Sequence, residues 1–213
     1  AKVVLSARRV DRLHEVAASL PGASVVPLDM LDYATHAKAV EQVIAQHGKI
    51  DIVVLNAGRS QRSTALETEY EVTEAIMQLN FLSQIHLAKL IMPHFVKANG
   101  GQFVVMSSLA GKMGVPSLSS YSASKFALHG YFDALRAEAS KLHNISVTIV
   151  CPGPVHSEIE DKAHSHTLNA PATIAYVDAR VVHSTILQLA NLLLLLLMMM
   201  MMMMIIFCLQ RNA

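Results

Sequence analysis

The chain has 213 residues, 53% of them hydrophobic, enough to bury the core of one domain and short for two. Its 17 lysines and arginines face 16 acids, and no basic run interleaved with aromatics marks a nucleic-acid surface, so nucleic acid is excluded as a partner. The only cysteines are Cys151, at the end of an apolar run, and Cys208, inside an apolar tail, so no disulfide framework is expected and a reducing compartment fits.

Short apolar, β-branched runs alternate with longer amphipathic stretches, the pattern of a parallel sheet built from βαβ units. Residues Val3 to Ser6 read as the first strand. A helical stretch from Asp11 to Leu20 stops at Pro21-Gly22, and Ser24 to Leu28 follows as a strand. Tyr33 to Gln46 reads as a helix closed by Gly48, and Ile50 to Leu55 as a fully buried strand, since its apolar run is nearly continuous. One long helix is expected from Tyr70 to Ala98, ended by Asn99-Gly100-Gly101, then a strand from Gln102 to Met106. After a loop rich in Gly and Ser come a helix from Tyr121 to Leu142 and a strand from Ile145 to Cys151, closed by Pro152-Gly153-Pro154. Val155 to Pro171 is polar and turn-rich, and Ile174 to Leu189 reads as a last helix.

The ends are unusual. A strand-like stretch follows Ala1 directly, with neither an initiator Met nor a leader of the signal-peptide kind, so the chain reads as beginning inside a fold. Leu192 to Leu209 is unbroken apolar sequence with six leucines, then seven methionines, then Ile205-Ile206-Phe207-Cys208-Leu209. Its length meets the lower limit of roughly 18 residues for a membrane span, and its composition equally fits a low-complexity tail. Residues 1–190 are therefore assigned to a catalytic domain and 191–213 to an apolar tail, a membrane segment or a repeat.

In open parallel sheets ligands bind beyond the carboxyl ends of the strands. There Tyr121-Ser122-Ala123-Ser124-Lys125 opens a helix, with Ser107-Ser108 at the end of the preceding strand. A spacing of four puts Tyr121 and Lys125 on one helical face, one turn apart. A tyrosine with a pKa of about 10 is a poor acid or base near neutrality. An ammonium nearby should favour the phenolate by roughly 1 to 3 units. Tyr121 then serves as general acid in carbonyl reduction and general base in alcohol oxidation, with Ser108 binding the substrate oxygen.

The tyrosine–lysine pair alone is a common accident of helix faces. Its company is not: Asn56-Ala57-Gly58 follows the third strand, Ser108 precedes Tyr121, and Pro152-Gly153 closes the fifth strand. Over nearly all of residues 2–190 the chain resembles the short-chain dehydrogenase/reductase family. The resemblance implies a Rossmann-type, doubly wound parallel sheet, here lacking its first strand and glycine-rich turn. It implies a tetrad of Asn80, Ser108, Tyr121 and Lys125, in which the tyrosine transfers the proton and the serine orients the substrate oxygen. The lysine would lower the tyrosine pKa and bind the nicotinamide ribose, and the asparagine would hold a water in the proton relay. Asn80 also has a plainer reading, as a polar residue kinking a helix.

The same resemblance assigns Asn56, Ala57 and Gly58 to a turn that lets cofactor approach the backbone, with Leu55 where the family usually has a further asparagine. Asp29 would contact the adenine ring, or simply cap the next helix. Pro152, Gly153 and Val155 would face the nicotinamide amide, and Ser157 would supply the hydroxyl that the family commonly takes from threonine. After the first strand stand Ser6-Ala7-Arg8-Arg9, with no acid before Asp11. Cationic groups there suit the 2′-phosphate of NADP(H), whereas an acid would suit the free ribose hydroxyl of NAD.

Residues 56–63 and 151–157 resemble a branch of that family made of membrane-associated reductases of the endoplasmic reticulum, acting on steroid, retinoid and other lipophilic carbonyls. The expected substrate is accordingly a small lipophilic carbonyl or alcohol, and the family commonly forms dimers and tetramers through the helices around residues 72–98 and 121–142. No metal is expected, since His164-Ser165-His166 lies in a polar loop without companion ligands. Two readings compete. The missing glycine turn favours a non-catalytic truncated relative that cannot hold cofactor well. The tail favours a membrane-anchored interaction protein.

Overall fold

The computed structural model describes residues 2–154 and 205–209. Strand β1 (Lys2–Ser6) leads to helix α1 (Val10–Ala18), β2 (Ser24–Val25), α2 (Tyr33–His47) and β3 (Ile52–Leu55). Helix α3 (Tyr70–Met77) runs through a π-helical turn (Gln78–Leu82) into α4 (Ser83–Lys97), followed by β4 (Gly101–Met106). A single 3-10 turn (Leu109–Gly111), the long helix α5 (Ser119–His143), β5 (Ile145–Val150) and β6 (Ile205–Leu209) complete the described elements.

The sheet order is β2-β1-β6-β3-β4-β5. Pairs β1–β2, β3–β4 and β4–β5 are parallel. Both faces are covered, so successive strand residues serve two different cores. Val53 and Leu55 pack with α2, α4 and α5 side chains such as Val43, Ile91, Phe95 and Phe132. Ile52 and Val54 pack on the other face with Leu5, Leu13 and Val104. This is why β3 reads as an uninterrupted apolar run: every position is buried. Gly101 begins β4 because a Cβ there would overlap the ring of Phe95. Gly48 closes α2 with φ +85, a left-handed conformation, and its N–H donates to Ile44 O at 2.7 Å.

Three expectations need correction. Strand β2 is shorter than Ser24 to Leu28, because Pro27 has no N–H to offer; Val26 and Leu28 nevertheless donate to Leu5 O and Ala7 O and keep the segment alongside β1. The long helix from Tyr70 to Ala98 is interrupted by the π-helical turn at Gln78–Leu82, which carries Asn80. The third correction concerns the middle of the sheet. Between β1 and β3, where the resemblance implies that a strand is lacking, the sheet is continuous. Residues Ile205–Leu209, set apart in sequence as the end of the apolar tail, fill that position as β6. This strand runs antiparallel to both neighbours, so the sheet is not wholly parallel: Phe207 pairs with Val4 on one side and with Val53 on the other. The helix expected from Ile174 to Leu189 lies outside the described residues.

Candidate active site

The site is assembled at the carboxyl ends of β3, β4 and β5. Leu55 is the last residue of β3 and fully buried, extending the strand core as the sequence suggests. The turn after it is tied down by Gln84 of α4, whose Nε2 donates to Ala57 O at 2.6 Å. Gly58 faces the heart of the site: a Cβ there would lie 3.3 Å from Asn80 Oδ1 and 3.6 Å from Lys125 Nζ.

Asn80 is completely buried in the π-helical turn. Its Oδ1 accepts from Arg59 N at 2.7 Å, while its Nδ2 donates to Arg59 O at 2.9 Å and to Ser124 Oγ at 3.0 Å. The widened turn and the catalytic reading of Asn80 thus occupy the same place: the side chain joins the loop after Gly58 to α5. Ser108, just beyond β4, uses its Oγ to accept from Ala110 N at 3.1 Å, and its hydroxyl acts on the Tyr121 hydroxyl in the direction that lowers the Tyr121 pKa. Tyr121 and Lys125 lie one turn apart on α5, both buried, with Lys125 Nζ 5.6 Å from the Tyr121 ring centroid.

The electrostatics depart from expectation. Burial pushes the Tyr121 hydroxyl above its ordinary value, and the hydrogen bond from Ser108 offsets only part of this. Lys125 does not lower it, because Nζ is turned to Met106 O, 2.7 Å away, and is itself desolvated. Burial pushes the Lys125 ammonium down to about 8, against a smaller opposing influence of the Cys151 sulfur. In the protein without cofactor, Tyr121 is therefore a protonated acid rather than an incipient phenolate.

This carries a stability signature. A lysine in the unfolded chain releases its proton near its ordinary 10.5, and Lys125 in the fold near 8. Between those values the unfolded chain binds more protons, so stability rises with pH across that window. Below pH 8 the fold bears the full cost of a buried ammonium. Lys125→Met should therefore be more stable than the parent at pH 7, by on the order of 3 kcal/mol, with the gain vanishing as pH passes about 10. Urea midpoints of both proteins at pH 7 and pH 10 measure it; an equal difference at the two values would contradict the burial of a titrating lysine.

Under the site lies a cluster that sequence gave no reason to expect. His129 Nε2 lies 3.0 Å from Ser107 Oγ and 3.5 Å from Cys151 Sγ, and burial lowers the His129 pKa. Gly111 is packed so closely over Ser107 that a Cβ would reach 3.1 Å from Lys125 Cβ. Gln61 and Gln84 were likewise unforeseen; a glutamine in a polar loop carries no periodic or motif signal.

A second region lies at the end of β1. An open cleft of about 320 Å3 is lined by Arg8, Pro27, Leu28, Asp29, Asp32 and Thr35. Arg8 Nε is 4.0 Å from Asp29 Oδ1, which also accepts from Leu31 N at 3.0 Å. Asp29 thus holds the turn ahead of α2 and partly balances Arg8. Arg9 is exposed at the start of α1. Ser6 Oγ is buried with no hydrogen-bond partner among the described residues. These groups suit the adenosine end of a dinucleotide, and the surroundings of Lys125, Asn56 and Pro152 suit the nicotinamide end. The middle is different: the slot between β1 and β3 holds β6. Pro152 accepts from Leu109 N at 2.9 Å and Gly153 follows it, whereas Val155 and Ser157 lie outside the described residues, as do His164 and His166.

Residues 1–167 match the family model described as short chain dehydrogenase. Mouse "Dehydrogenase/reductase SDR family member 7" is 36% identical over 203 residues, covering 89% of this chain and 60% of that protein. The chain thus spans less than two thirds of that relative's length. A solved short-chain dehydrogenase from Streptomyces avermitilis superposes with a TM-score of 0.75 at 24% identity, covering 88% of this chain and 74% of the other. An alcohol dehydrogenase from Thermococcus sibiricus, complexed with 5-hydroxy-NADP, gives a TM-score of 0.75 at 20% identity, covering 88% and 79%.

Proposed function

The chain belongs to the short-chain dehydrogenase family, and from that premise we propose that it is an NADP(H)-dependent oxidoreductase interconverting a carbonyl and a secondary alcohol on a small lipophilic substrate. The observation that carries this reading is the meeting of Ser108, Tyr121, Lys125 and Asn80 around Gly58, where no side chain obstructs approach.

Bound nicotinamide supplies or takes the hydride. The protein's own residues manage the oxygen and the proton. In the reductive direction the carbonyl oxygen accepts hydrogen bonds from Ser108 and Tyr121 and gains negative charge as its carbon receives the hydride. Tyr121 transfers its proton to that oxygen, completing the alcohol, and is left as phenolate. Burial that keeps Tyr121 protonated favours this direction, because the acid is already in the required form. Lys125, held by Met106 O in the free protein, would turn from that carbonyl toward the phenolate as it forms and would bind a ribose hydroxyl. Asn80 holds the loop after Gly58 against α5 and would support a water-borne return of the proton.

The cofactor choice rests on Arg8 and Arg9, with the Thermococcus NADP complex as an analogy of fold. Arg8 borders the open cleft, so a 2′-phosphate can displace its exposed contact with Asp29 at little cost. NADPH should be preferred to NADH by about tenfold or more in kcat/KM, consistent with charge-assisted bonds to phosphate. Replacing both arginines with alanine should erase the preference. Equal use of both cofactors by the parent would overturn the assignment.

Lipophilic substrates, a setting at the endoplasmic reticulum membrane and pairing of copies through α4 and α5 belong to the same proposal. Exposed Val96 and Phe126 support the pairing. Among the described residues no helix is long and apolar enough to cross a membrane. The direct test is reduction of a panel of lipophilic ketones and aldehydes with NADPH, followed at 340 nm.

A further inference from the structure

The first turn of every α-helix has backbone N–H groups without partners inside the helix, normally satisfied by an oxygen on the N-cap side chain. In α5, which carries Tyr121 and Lys125, the N-cap is Leu118, and its side chain makes no such bond. The N–H groups at the second and third helical positions belong to Ser120 and to Tyr121 itself. Both donate to a side chain 59 and 60 residues earlier: Gln61 Oε1 lies 2.8 Å from Ser120 N and 3.3 Å from Tyr121 N. Gln61 is completely buried. Its Nε2 has two hydrogens, and four acceptors surround them: Thr68 Oγ1 at 2.5 Å, Ser63 O at 3.3 Å, and Ser63 Oγ and Ser119 Oγ at 3.4 Å. Ser63 N in turn donates to Ser117 O at 3.2 Å, and Ser63 Oγ lies 2.7 Å from Thr68 Oγ1.

We propose that Gln61 is a positioning residue that caps α5 from the loop after Asn56-Ala57-Gly58 and thereby fixes Tyr121 against Ser108. As a positioning residue in catalysis, it rests on the oxidoreductase reading above. Gln61 touches no substrate; it acts through the backbone of Tyr121. A carboxamide in place of a local Ser or Asp cap ties two parts of the site together: the loop that leaves β3 and the helix that carries the proton donor. If the loop moves, the first turn of α5 loses two bonds at the residue whose hydroxyl must stay within reach of Ser108. Stability of the rest of α5 does not depend on this contact, since Leu128 and Phe132 are buried in the core independently.

The test compares Gln61→Leu, which keeps the volume and loses the oxygen, with Gln61→Glu, which keeps an oxygen facing both N–H groups. A carboxylate is tolerated at a helix N-terminus, and the hydroxyls of Ser63, Thr68 and Ser119 can turn to donate to it. Amide hydrogen exchange is read at Ser120, Tyr121 and Phe132 in the full chain, alongside kcat, substrate KM and NADPH affinity. Gln61→Leu should accelerate exchange at Ser120 and Tyr121 by about tenfold, as loss of a cap does, and leave Phe132 unchanged. Its kcat should fall by about tenfold with KM and NADPH affinity within about twofold, the pattern of a misplaced catalytic group. Gln61→Glu should keep the protection and most of kcat. Exchange at Ser120 and Tyr121 unchanged in Gln61→Leu, acceleration spread evenly to Phe132, or a Gln61→Glu variant as impaired as Gln61→Leu would each overturn the proposal. A parent without turnover would defeat the oxidoreductase reading, while the exchange pattern would still decide whether Gln61 holds Tyr121.

Discussion

Tyr121→Phe should reduce carbonyl turnover by at least ~100-fold and as much as ~10,000-fold, the range a single positioned general acid supplies. The ring remains in its buried place on α5, so folding and the packing of Lys125 above it should persist. What disappears is the Tyr121 hydroxyl that Ser108 acts on, and with it the transferable proton. NADPH affinity should change by less than about threefold, because the phenol contributes little to binding beside the cationic and backbone contacts. Steady-state rates and an NADPH fluorescence titration separate the two effects. Turnover within a few-fold of the parent would remove Tyr121 from the chemistry and leave the tetrad without its centre.

A proline at position 207 should be as damaging to the fold as phenylalanine at 121 is to the reaction. Phe207 sits at the middle of β6 and pairs with Val4 and with Val53. Proline removes the N–H of that residue and its ring disrupts a strand flanked on both sides, a change that costs about 3 kcal/mol or more in regular structure. With a total stability on the order of 5–15 kcal/mol for a domain, Phe207→Pro should lower the urea midpoint substantially and blunt the cooperativity of unfolding. A shift equivalent to less than about 1 kcal/mol would mean that β6 does not close the sheet.

Most of the parallel half of the fold was legible in sequence because each strand there combines a β-branched apolar run with a turn signal. Ile52 to Leu55, buried on both faces, is the plainest instance. The positions of Ser108, Tyr121, Lys125 and Asn80 were legible because a motif fixes them relative to strand ends, and the structure places Asn80 and Lys125 beside Gly58 and Lys125 beside the Tyr121 ring; their catalytic role is the proposal above. Three things were not legible. The π-helical turn at Gln78–Leu82 adds a residue without altering apolar periodicity enough to show. The place of Ile205–Leu209 could not be read from a low-complexity context, since an apolar run does not say which strands it will join. The pKa of Tyr121 depends on where Lys125 Nζ points, and sequence spacing fixes the helix face but not the choice of Met106 O as its partner.

The position of β6 also governs the order in which the molecule can be made. Among the described strands the one at the middle of the sheet comes latest in sequence, separated from β3 by roughly 150 residues, so its docking closes a very long loop and is expected late. Before β6 docks, β1–β2 and β3–β4–β5 can each assemble from neighbouring sequence, as two half-sheets whose inner edges it later joins. Such edges pair readily with other chains. Association of the molecule during refolding should therefore rise with protein concentration until β6 docks, even where the folded state is stable.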